Sequence, residues 1–258
     1  METRMAWLHK ARYSPLQIGI FLLMIIAVPP SVTYLWLNNV LQRRHQLLME
    51  ASYASPLPHV VITPRELEPE SGVYRGQYDF TTDAFTWNVP LWKKVLGPYA
   101  GKPGVQYLEI GAYEGRSAIW MLENILTDTT AQMTAVDIFS GPYKERYFKN
   151  VERSGFANKV TTLTGFSQVV LRGLPLDSFD IIYVDGSHMK NDVLEDAVLS
   201  WRLLKNGGLL IFDDYQDVAR VEDGIECPKM AIDAFVQCFE SKCEVLHNEW
   251  QLIIRKKG

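Results

Sequence analysis

The sequence predicts an α/β fold in which a doubly wound, mostly parallel sheet is covered by helices on both faces. From residue 105 onward, short apolar segments alternate with segments whose apolar residues recur at helical spacing. Such alternation is typical of a parallel sheet with crossover helices. The apolar segments also end in acidic residues or glycine, and ligands of these sheets bind beyond the carboxyl ends of the strands.

The predicted elements follow one another in regular order. Each predicted strand is a short apolar run bounded by turn-forming residues, and the strands are expected at 105–110, 132–139, 159–165, 179–188 and 209–215. Helices are expected at 116–126, 143–154, 167–172, 191–204 and 228–239. Asn206, Gly207 and Gly208 are expected to end the fourth helix, and residues 243–257 are expected to form a terminal hairpin.

The N-terminal part has a different character. No charged residue occurs between Arg12 and Arg43, and the apolar segment 18–37 has about the length that a helix needs to cross a bilayer. A single transmembrane helix is therefore predicted within residues 1–42, followed by a proline-containing linker at 43–76. A cleaved signal peptide and a buried soluble helix remain the alternatives.

Composition excludes several classes of protein. The chain has 258 residues and a net charge of −4, and no lysine- or arginine-rich run indicates a nucleic-acid partner. Its three cysteines form no paired motif. A disulfide framework and a cysteine zinc site are therefore not expected.

Five successive predicted strands end in polar residues or glycine. A lone acidic strand end is usually a cap or turn residue. Five of them at one edge of a parallel sheet indicate a binding site instead. These strand ends carry Glu109 and Gly111, then Asp137, then Gly165, then Asp185 to His188, and finally Asp213 and Asp214.

The turn after the first strand favours a nucleoside ligand. It reads Glu-x-Gly-x-x-x-Gly from Glu109 to Gly115, which differs from the Gly-x-Gly-x-x-Gly pattern of nicotinamide dinucleotide binders and from the phosphate-binding loop. Glycine at Gly111 lets the backbone approach a ligand closely. Asp137 ends the next strand, where an acid can accept hydrogen bonds from both hydroxyls of a ribose.

Three segments carry a resemblance to a known family: YLEIGAYEGRSAIWML at 107–122, DIIYVDGSHMKNDVLEDAVLSWRLLKNGGLLIFDDY at 180–215 and PKMAIDAF at 228–235. The chain resembles the class I S-adenosylmethionine-dependent methyltransferases. Within that class it is most similar to the small-molecule O-methyltransferases with a VDGSH motif, such as those acting on macrocin and catechol. The resemblance implies a Rossmann-like methyltransferase fold at 77–258, with seven strands and an antiparallel last strand.

The resemblance also implies roles for the residues at the strand ends. Asp137 would hold the ribose of S-adenosylmethionine, and Asp185 would lie by the cofactor and the reacting centre. The methionine part would be held by Glu109, Gly111, Ala112 and Gly115, with Ser117 as a further cofactor-binding residue. The adenine would lie near Gly165, Phe166 and Ser167.

Two features could activate an acceptor hydroxyl. Asp185, Asp213 and Asp214 would repel one another unless a cation lay between them, and in related enzymes acids at these strand ends hold a divalent ion. A magnesium site on these three carboxylates is therefore predicted. His188 has a pKa suited to a general base near neutral pH, and the family carries a histidine in this role. The alternatives are that Asp213 and Asp214 cap turns and that His188 makes a structural hydrogen bond.

The predicted function is S-adenosylmethionine-dependent O-methylation of a small-molecule hydroxyl. The alternative is a catalytically inactive, membrane-anchored scaffold or assembly subunit with the same fold, and the glycine spacing disfavours a nicotinamide-dependent oxidoreductase. The expected partners are the small-molecule acceptor and a membrane, with a homo-oligomer as an open option. The expected location is a single-pass membrane protein with a cytoplasmic catalytic domain, because the cofactor is kept inside cells.

Overall fold

A computed structural model describes residues 74–216 and 227–258. Within these residues the strands are β1 Gln106–Ile110, β2 Gln132–Asp137, β3 Val160–Thr164, β4 Phe179–Val184, β5 Leu204–Phe212, β6 Cys243–Asn248 and β7 Leu252–Lys256. The helices are α1 Val89–Leu96, α2 Arg116–Asn124, α3 Gly141–Ser154, α4 Ser167–Val170, α5 Lys190–Leu203 and α6 Pro228–Cys238.

All seven strands form one sheet in the order β3-β2-β1-β4-β5-β7-β6. The pairs from β3 through β5 are parallel, whereas β7 runs antiparallel to both β5 and β6. The carboxyl ends of β1 to β5 therefore meet along one edge. This arrangement confirms the predicted seven-stranded, mostly parallel sheet and its antiparallel last strand.

The sheet is covered on both faces, because alternate residues of each strand enter different cores. One core contains Tyr107 of β1 and Tyr183 of β4, together with Trp92 of α1 and Trp120 of α2. The other contains Leu108 and Ile110 of β1 together with residues of α5 and α6. The period of two along β1 thus separates the two layers of helices, as a doubly wound fold requires.

The fifth strand begins earlier than the sequence predicts. The helix before it ends at Leu203, and β5 runs from Leu204 through the Asn206-Gly207-Gly208 segment, so these residues do not end the helix as the sequence predicts. The pairing of β4 with β5 shifts register within this segment. A Cβ at Gly208 would lie 2.9 Å from the carbonyl oxygen of Asp180, so glycine here permits close strand packing rather than a helix stop.

The predicted membrane helix within 1–42 and linker residues 43–73 lie outside the described residues. Among 74–216 and 227–258, no helix is both long enough and apolar enough to span a bilayer. The linker and domain boundaries remain predictions. Residues 74–76, the described end of the predicted linker, do contact the domain, because Tyr74 donates a hydrogen bond to the carbonyl oxygen of Arg116 at 3.3 Å.

Replacing Gly111 by alanine is expected to destabilise the fold severely. Gly111 has a φ of +87°, and a Cβ there would lie 2.6 Å from the Cα of Gly186 and closer still to the carbonyl oxygen of Asp185. Because those atoms are backbone, we expect Gly111→Ala to lower the free energy of unfolding by about 3 kcal/mol or more. Urea unfolding would measure this loss.

Gly104→Ala is the matched control. Gly104 also has a positive φ, +71°, but a Cβ there would meet nothing within 4 Å, so only the backbone strain of about 1 kcal/mol is expected. Equal losses for the two variants would contradict the steric explanation for Gly111.

Candidate active site

The turn between β1 and α2 lies at the carboxyl edge of the sheet. The Gly111 amide donates to the Val136 carbonyl oxygen at 2.9 Å. Gly115, the residue before α2, has a φ of +85°, and a Cβ there would lie 3.1 Å from the Tyr147 ring. The turn therefore packs tightly at both glycines, and glycine at these positions lets the backbone approach its neighbours closely.

Glu109 lies beneath this turn rather than on its surface. Its side chain is 0% exposed, and its carboxylate accepts hydrogen bonds from the hydroxyls of Ser117 and Tyr107, the latter at 3.0 Å. Burial raises the pKa of Glu109 to about 8, although the two hydroxyls oppose this shift. Any influence of Glu109 on a ligand is therefore transmitted through Ser117 and the turn.

Asp137, at the end of β2, holds the same turn from the other side. Its Oδ2 accepts hydrogen bonds from the amides of Ala112 at 2.8 Å and Tyr113 at 3.0 Å, and its Oδ1 accepts one from Phe139 at 2.8 Å. A carboxylate has about four acceptor positions. In this arrangement one remains, on Oδ1, so contact with both hydroxyls of a ribose would require a turn amide to be released.

The next strand end presents apolar surface. The Gly165 amide donates to the carbonyl oxygen of Asp137 at 2.9 Å, which joins the ends of β2 and β3. Phe166 follows with 68% of its surface exposed, Ser167 begins α4, and Ile138 after β2 is 51% exposed. Two exposed apolar side chains on neighbouring strand ends suit the face of a flat heterocycle.

A buried network lies behind the acids of β4 and β5. The Tyr183 hydroxyl is within hydrogen-bonding distance of Asp185 Oδ2, at 2.9 Å, and of Asp213 Oδ2. Asp213 also accepts from Gln251 at 3.1 Å, and the Gln251 oxygen accepts from the indole of Trp92 at 2.8 Å. Because one phenol proton faces two carboxyl groups, the network favours one proton on the acid pair.

The structure changes the predicted set of metal ligands. Asp213 is 7% exposed, and both of its oxygens are engaged, Oδ1 by the Asp214 amide at 2.8 Å and Oδ2 in the network above. Within the described residues, the group able to hold an ion is instead Asp185, His188 and Asp214, whose ligand atoms all lie within 4.8 Å of one another. Asp213 and Asp214 follow the end of β5, and Asp214 has a φ of +56°, so the backbone after the strand sets their different directions.

Neighbouring carboxyl groups at this edge of the sheet raise one another's pKa. Burial raises the pKa of Asp185 well above its usual range, and the negative charges of Asp213 and Asp214 add to the effect. Burial and Asp214 likewise raise the pKa of Asp213, to about 6. His188 Nε2 lies 3.2 Å from Asp214 Oδ2, so a proton taken up by the imidazole would be stabilised by that carboxylate.

Sequence reasoning missed the tyrosines that hold these acids. Tyr107 precedes Glu109 by two residues, and Tyr183 precedes Asp185 by two. Residues two apart on a strand share a face, so the repeated pattern of tyrosine, any residue, acid could have indicated both hydrogen bonds. Gln251 gave no such signal, because its contacts join segments far apart in the chain.

The segment before α1 is fastened to the glycine turn by Glu114. This side chain is 1% exposed and accepts hydrogen bonds from the Thr81 amide at 2.7 Å and the Thr81 hydroxyl at 2.6 Å. Arg146 of α3 lies 3.5 Å from the same carboxylate. Part of the turn's own sequence therefore serves to hold neighbouring elements around the site.

Comparison with known proteins identifies the kind of domain. Residues 108–215 match a family described as a methyltransferase domain. The uncharacterized protein R132 of Acanthamoeba polyphaga mimivirus is 28% identical over 123 residues, which are 45% of this chain and 54% of R132. The chain thus spans about half the length of that relative.

Solved structures share the fold. The O-methyltransferase TomG of Streptomyces achromogenes, in complex with S-adenosylmethionine, matches with a TM-score of 0.53 and 15% identity over 69% of this chain and 82% of TomG. The methyltransferase MycE of the mycinamycin biosynthetic pathway, in complex with Mg and S-adenosylhomocysteine, matches with a TM-score of 0.50 and 17% identity over 68% of this chain and 51% of MycE. The resemblance to class I methyltransferases is confirmed.

Stability is expected to depend on pH through Glu109. The pKa of this group rises from 4.5 to about 8 on folding, so the folded state binds the proton more tightly than the unfolded state. The resulting stabilisation is complete below pH 4.5 and is lost as pH rises to about 8. Between these pH values the unfolding free energy of Glu109→Gln, which cannot ionise, is expected to fall by about 4 kcal/mol less than that of the natural protein. Urea unfolding at pH 5, 6.5 and 8 tests this, and parallel profiles for the two proteins would contradict it.

Proposed function

We propose that this chain, whose residues 108–215 match a methyltransferase domain, is an S-adenosylmethionine-dependent enzyme that methylates a hydroxyl group of a small molecule. One observation carries the proposal. Three features meet along a single edge of the sheet. They are the crowded glycine turn Gly111 to Gly115, the carboxylate of Asp137 at the position proposed for a ribose, and the cluster of Asp185, His188 and Asp214.

The residues fit a nucleoside ligand in shape and in chemistry. Glycine at Gly111 lets the turn pack directly against the backbone of Asp185 and Gly186, which holds the turn beside the acidic cluster. Asp137 keeps one acceptor position for a ribose hydroxyl, and Phe166 is largely exposed beside it. TomG is bound to S-adenosylmethionine, which supports the same ligand here.

The chemistry asked of the protein is modest. S-adenosylmethionine, when bound, supplies a methyl group attached to a sulfonium sulfur. After transfer of the methyl group, the leaving group is a neutral thioether. The acceptor hydroxyl must lose its proton as the carbon–oxygen bond forms, and we assign that proton to His188 Nδ1, because Nε2 faces Asp214. Asp214, 3.2 Å from Nε2, stabilises the imidazolium and fixes the ring orientation. The rest of the site holds the reactants in line.

Asp185 and Asp214 fit a divalent cation. Their carboxylate oxygens suit magnesium, and MycE is bound to Mg. When bound there, the ion would orient the acceptor hydroxyl and make it more acidic. If His188 served as a third ligand instead of a base, the mixed nitrogen and oxygen set would favour a transition metal.

The membrane anchor at 1–42 and the cytoplasmic position of the catalytic domain remain proposals. They depend on the apolar segment 18–37 and on the availability of the cofactor inside cells. A lipid-soluble or membrane-attached acceptor would explain such an anchor.

Cofactor binding separates an enzyme from an inactive scaffold. S-adenosylhomocysteine at one hundred times its Kd is expected to stabilise the protein by about 2.7 kcal/mol, which thermal unfolding would detect as a raised Tm. Asp137→Ala should abolish most of the rise, whereas NAD should give none. An unchanged Tm in the natural protein would favour the scaffold, and a rise with NAD would favour an oxidoreductase.

Loss of His188 is expected to reduce turnover without reducing cofactor affinity. Removing a general base typically costs about 10²- to 10⁴-fold in rate, so His188→Ala should show this loss with an unchanged Kd for S-adenosylhomocysteine. Turnover and calorimetric binding measurements on the same preparation would test both halves. Unchanged turnover on the true acceptor would refute the assignment of His188 as the general base.

Variants of the acid–histidine cluster test whether it binds a metal ion. Asp185→Asn and Asp214→Asn are expected to weaken magnesium binding at least about tenfold in calorimetric titrations. Asp213→Asn is the matched control, because its inward carboxyl group contacts Tyr183 and Gln251 and should affect the heats little. If His188→Ala abolishes binding of manganese or zinc, the histidine is a ligand rather than a base.

A further inference from the structure

A carboxyl group is buried on α5 away from the acid–histidine cluster. Asp196 is 1% exposed, and in the part of the chain that the structure describes neither of its oxygens has a hydrogen-bond partner. Ser200, one turn later on the same helix, is 0% exposed and its hydroxyl also lacks a partner there. Buried polar groups of this kind are uncommon and call for an explanation in terms of function or an ordered water.

Asp196 lies behind the turn that joins β3 to α4. Helix α5 packs against α4, and the neighbouring group that acts on the Asp196 carboxyl is Ser167, the first residue of α4. Burial raises the pKa of Asp196 to about 7, the Ser167 hydroxyl opposes the shift, and the charges of Asp192 and Glu195 add to it.

The nearby arginine does not occupy the Asp196 carboxyl group, which can therefore accept a hydrogen bond from Ser167. Arg172, the cation of the turn after α4, is paired with Glu195. The residue that precedes α4, Phe166, makes no side-chain cap hydrogen bond. An acceptor without a donor thus faces a short helix whose first turn lacks a cap, and that helix follows the exposed ring of Phe166 directly.

We propose that Asp196 is a positioning residue for the adenine side of the site: it holds Ser167 and thereby fixes the turn 165–167 when a nucleoside binds. This inference rests on the proposed function. The Ser167 hydroxyl already lies close enough to the carboxyl group to lower its pKa, and ligand binding completes the hydrogen bond between the two groups. Asp196 touches no reacting atom and acts only through Ser167.

A double-mutant cycle tests the proposal. Asp196→Leu removes the polar group at nearly constant volume and is expected to raise the Kd for S-adenosylhomocysteine about tenfold, while Tm stays the same or rises because an unpaired buried carboxyl is gone. Ser167→Ala should cause a similar loss of affinity, and the double variant should lose no more than either single variant. Asp196→Asn, which keeps an acceptor oxygen, should bind within about threefold of the natural protein.

Ser200→Ala is the matched control, because the Ser200 hydroxyl is equally buried and unpaired on the same helix but is not proposed to bind Ser167. Its Kd should be unchanged. Adenosine, which lacks the methionine part, should lose the same factor with Asp196→Leu as S-adenosylhomocysteine does.

The possible failures are distinct. If the natural protein binds no S-adenosylhomocysteine, the proposed function falls and the inference with it. If it binds but Asp196→Leu changes only Tm, or the two single losses add, Asp196 is a structural group and the inference alone is overturned. If Asp196→Leu fails to fold, Asp196→Ala takes its place in the cycle with Ser167→Ala, and additive losses would again reject the coupling.

Discussion

The approach of the β1–α2 turn to the end of β4 is the constraint on which the whole site depends. The Gly111 amide binds the Val136 carbonyl and the Asp185 amide binds the Ile110 carbonyl, at 2.9 and 2.8 Å, so the ends of three strands are joined where the backbone is most crowded. A ligand cradle and an acidic cluster are held in register by these main-chain contacts. Both parts stay in register only while Gly111 remains a glycine.

The acids of the site are divided by burial into two groups. Glu109 and Asp213 are enclosed and accept hydrogen bonds from tyrosine hydroxyls, whereas Asp214 contacts His188 at the rim. Burying several carboxyl groups together is unfavourable unless protons or donors reduce their charge. Tyr107 and Tyr183 supply those donors from the strands themselves, so the floor of the site stays close to neutral while its rim can carry charge.

Much of this arrangement could be predicted from alternating apolar segments, which indicated the parallel sheet and brought Glu109, Asp137 and Asp185 to one edge. Three features could not. The direction of Asp213 depends on the backbone after β5, where Asp214 has a φ of +56°, and the register shift near Gly208 depends on contact with β4, so neither is a local property of the sequence. The burial of Asp196 depends on how α4 and α5 pack, which helical periodicity alone does not determine.

The hydrogen bonds from Trp92 through Gln251 to Asp213 give the protein an internal optical reporter. An indole that is 0% exposed is shielded from quenching by solvent, and its ring lies edge-on to Tyr183 with centroids 4.9 Å apart. A change in charge at the floor of the site would therefore reach this chromophore through a single amide group. Among the seven tryptophans of the chain, the part of the ultraviolet emission that Trp92→Phe removes could follow ligand binding at the site without any attached dye.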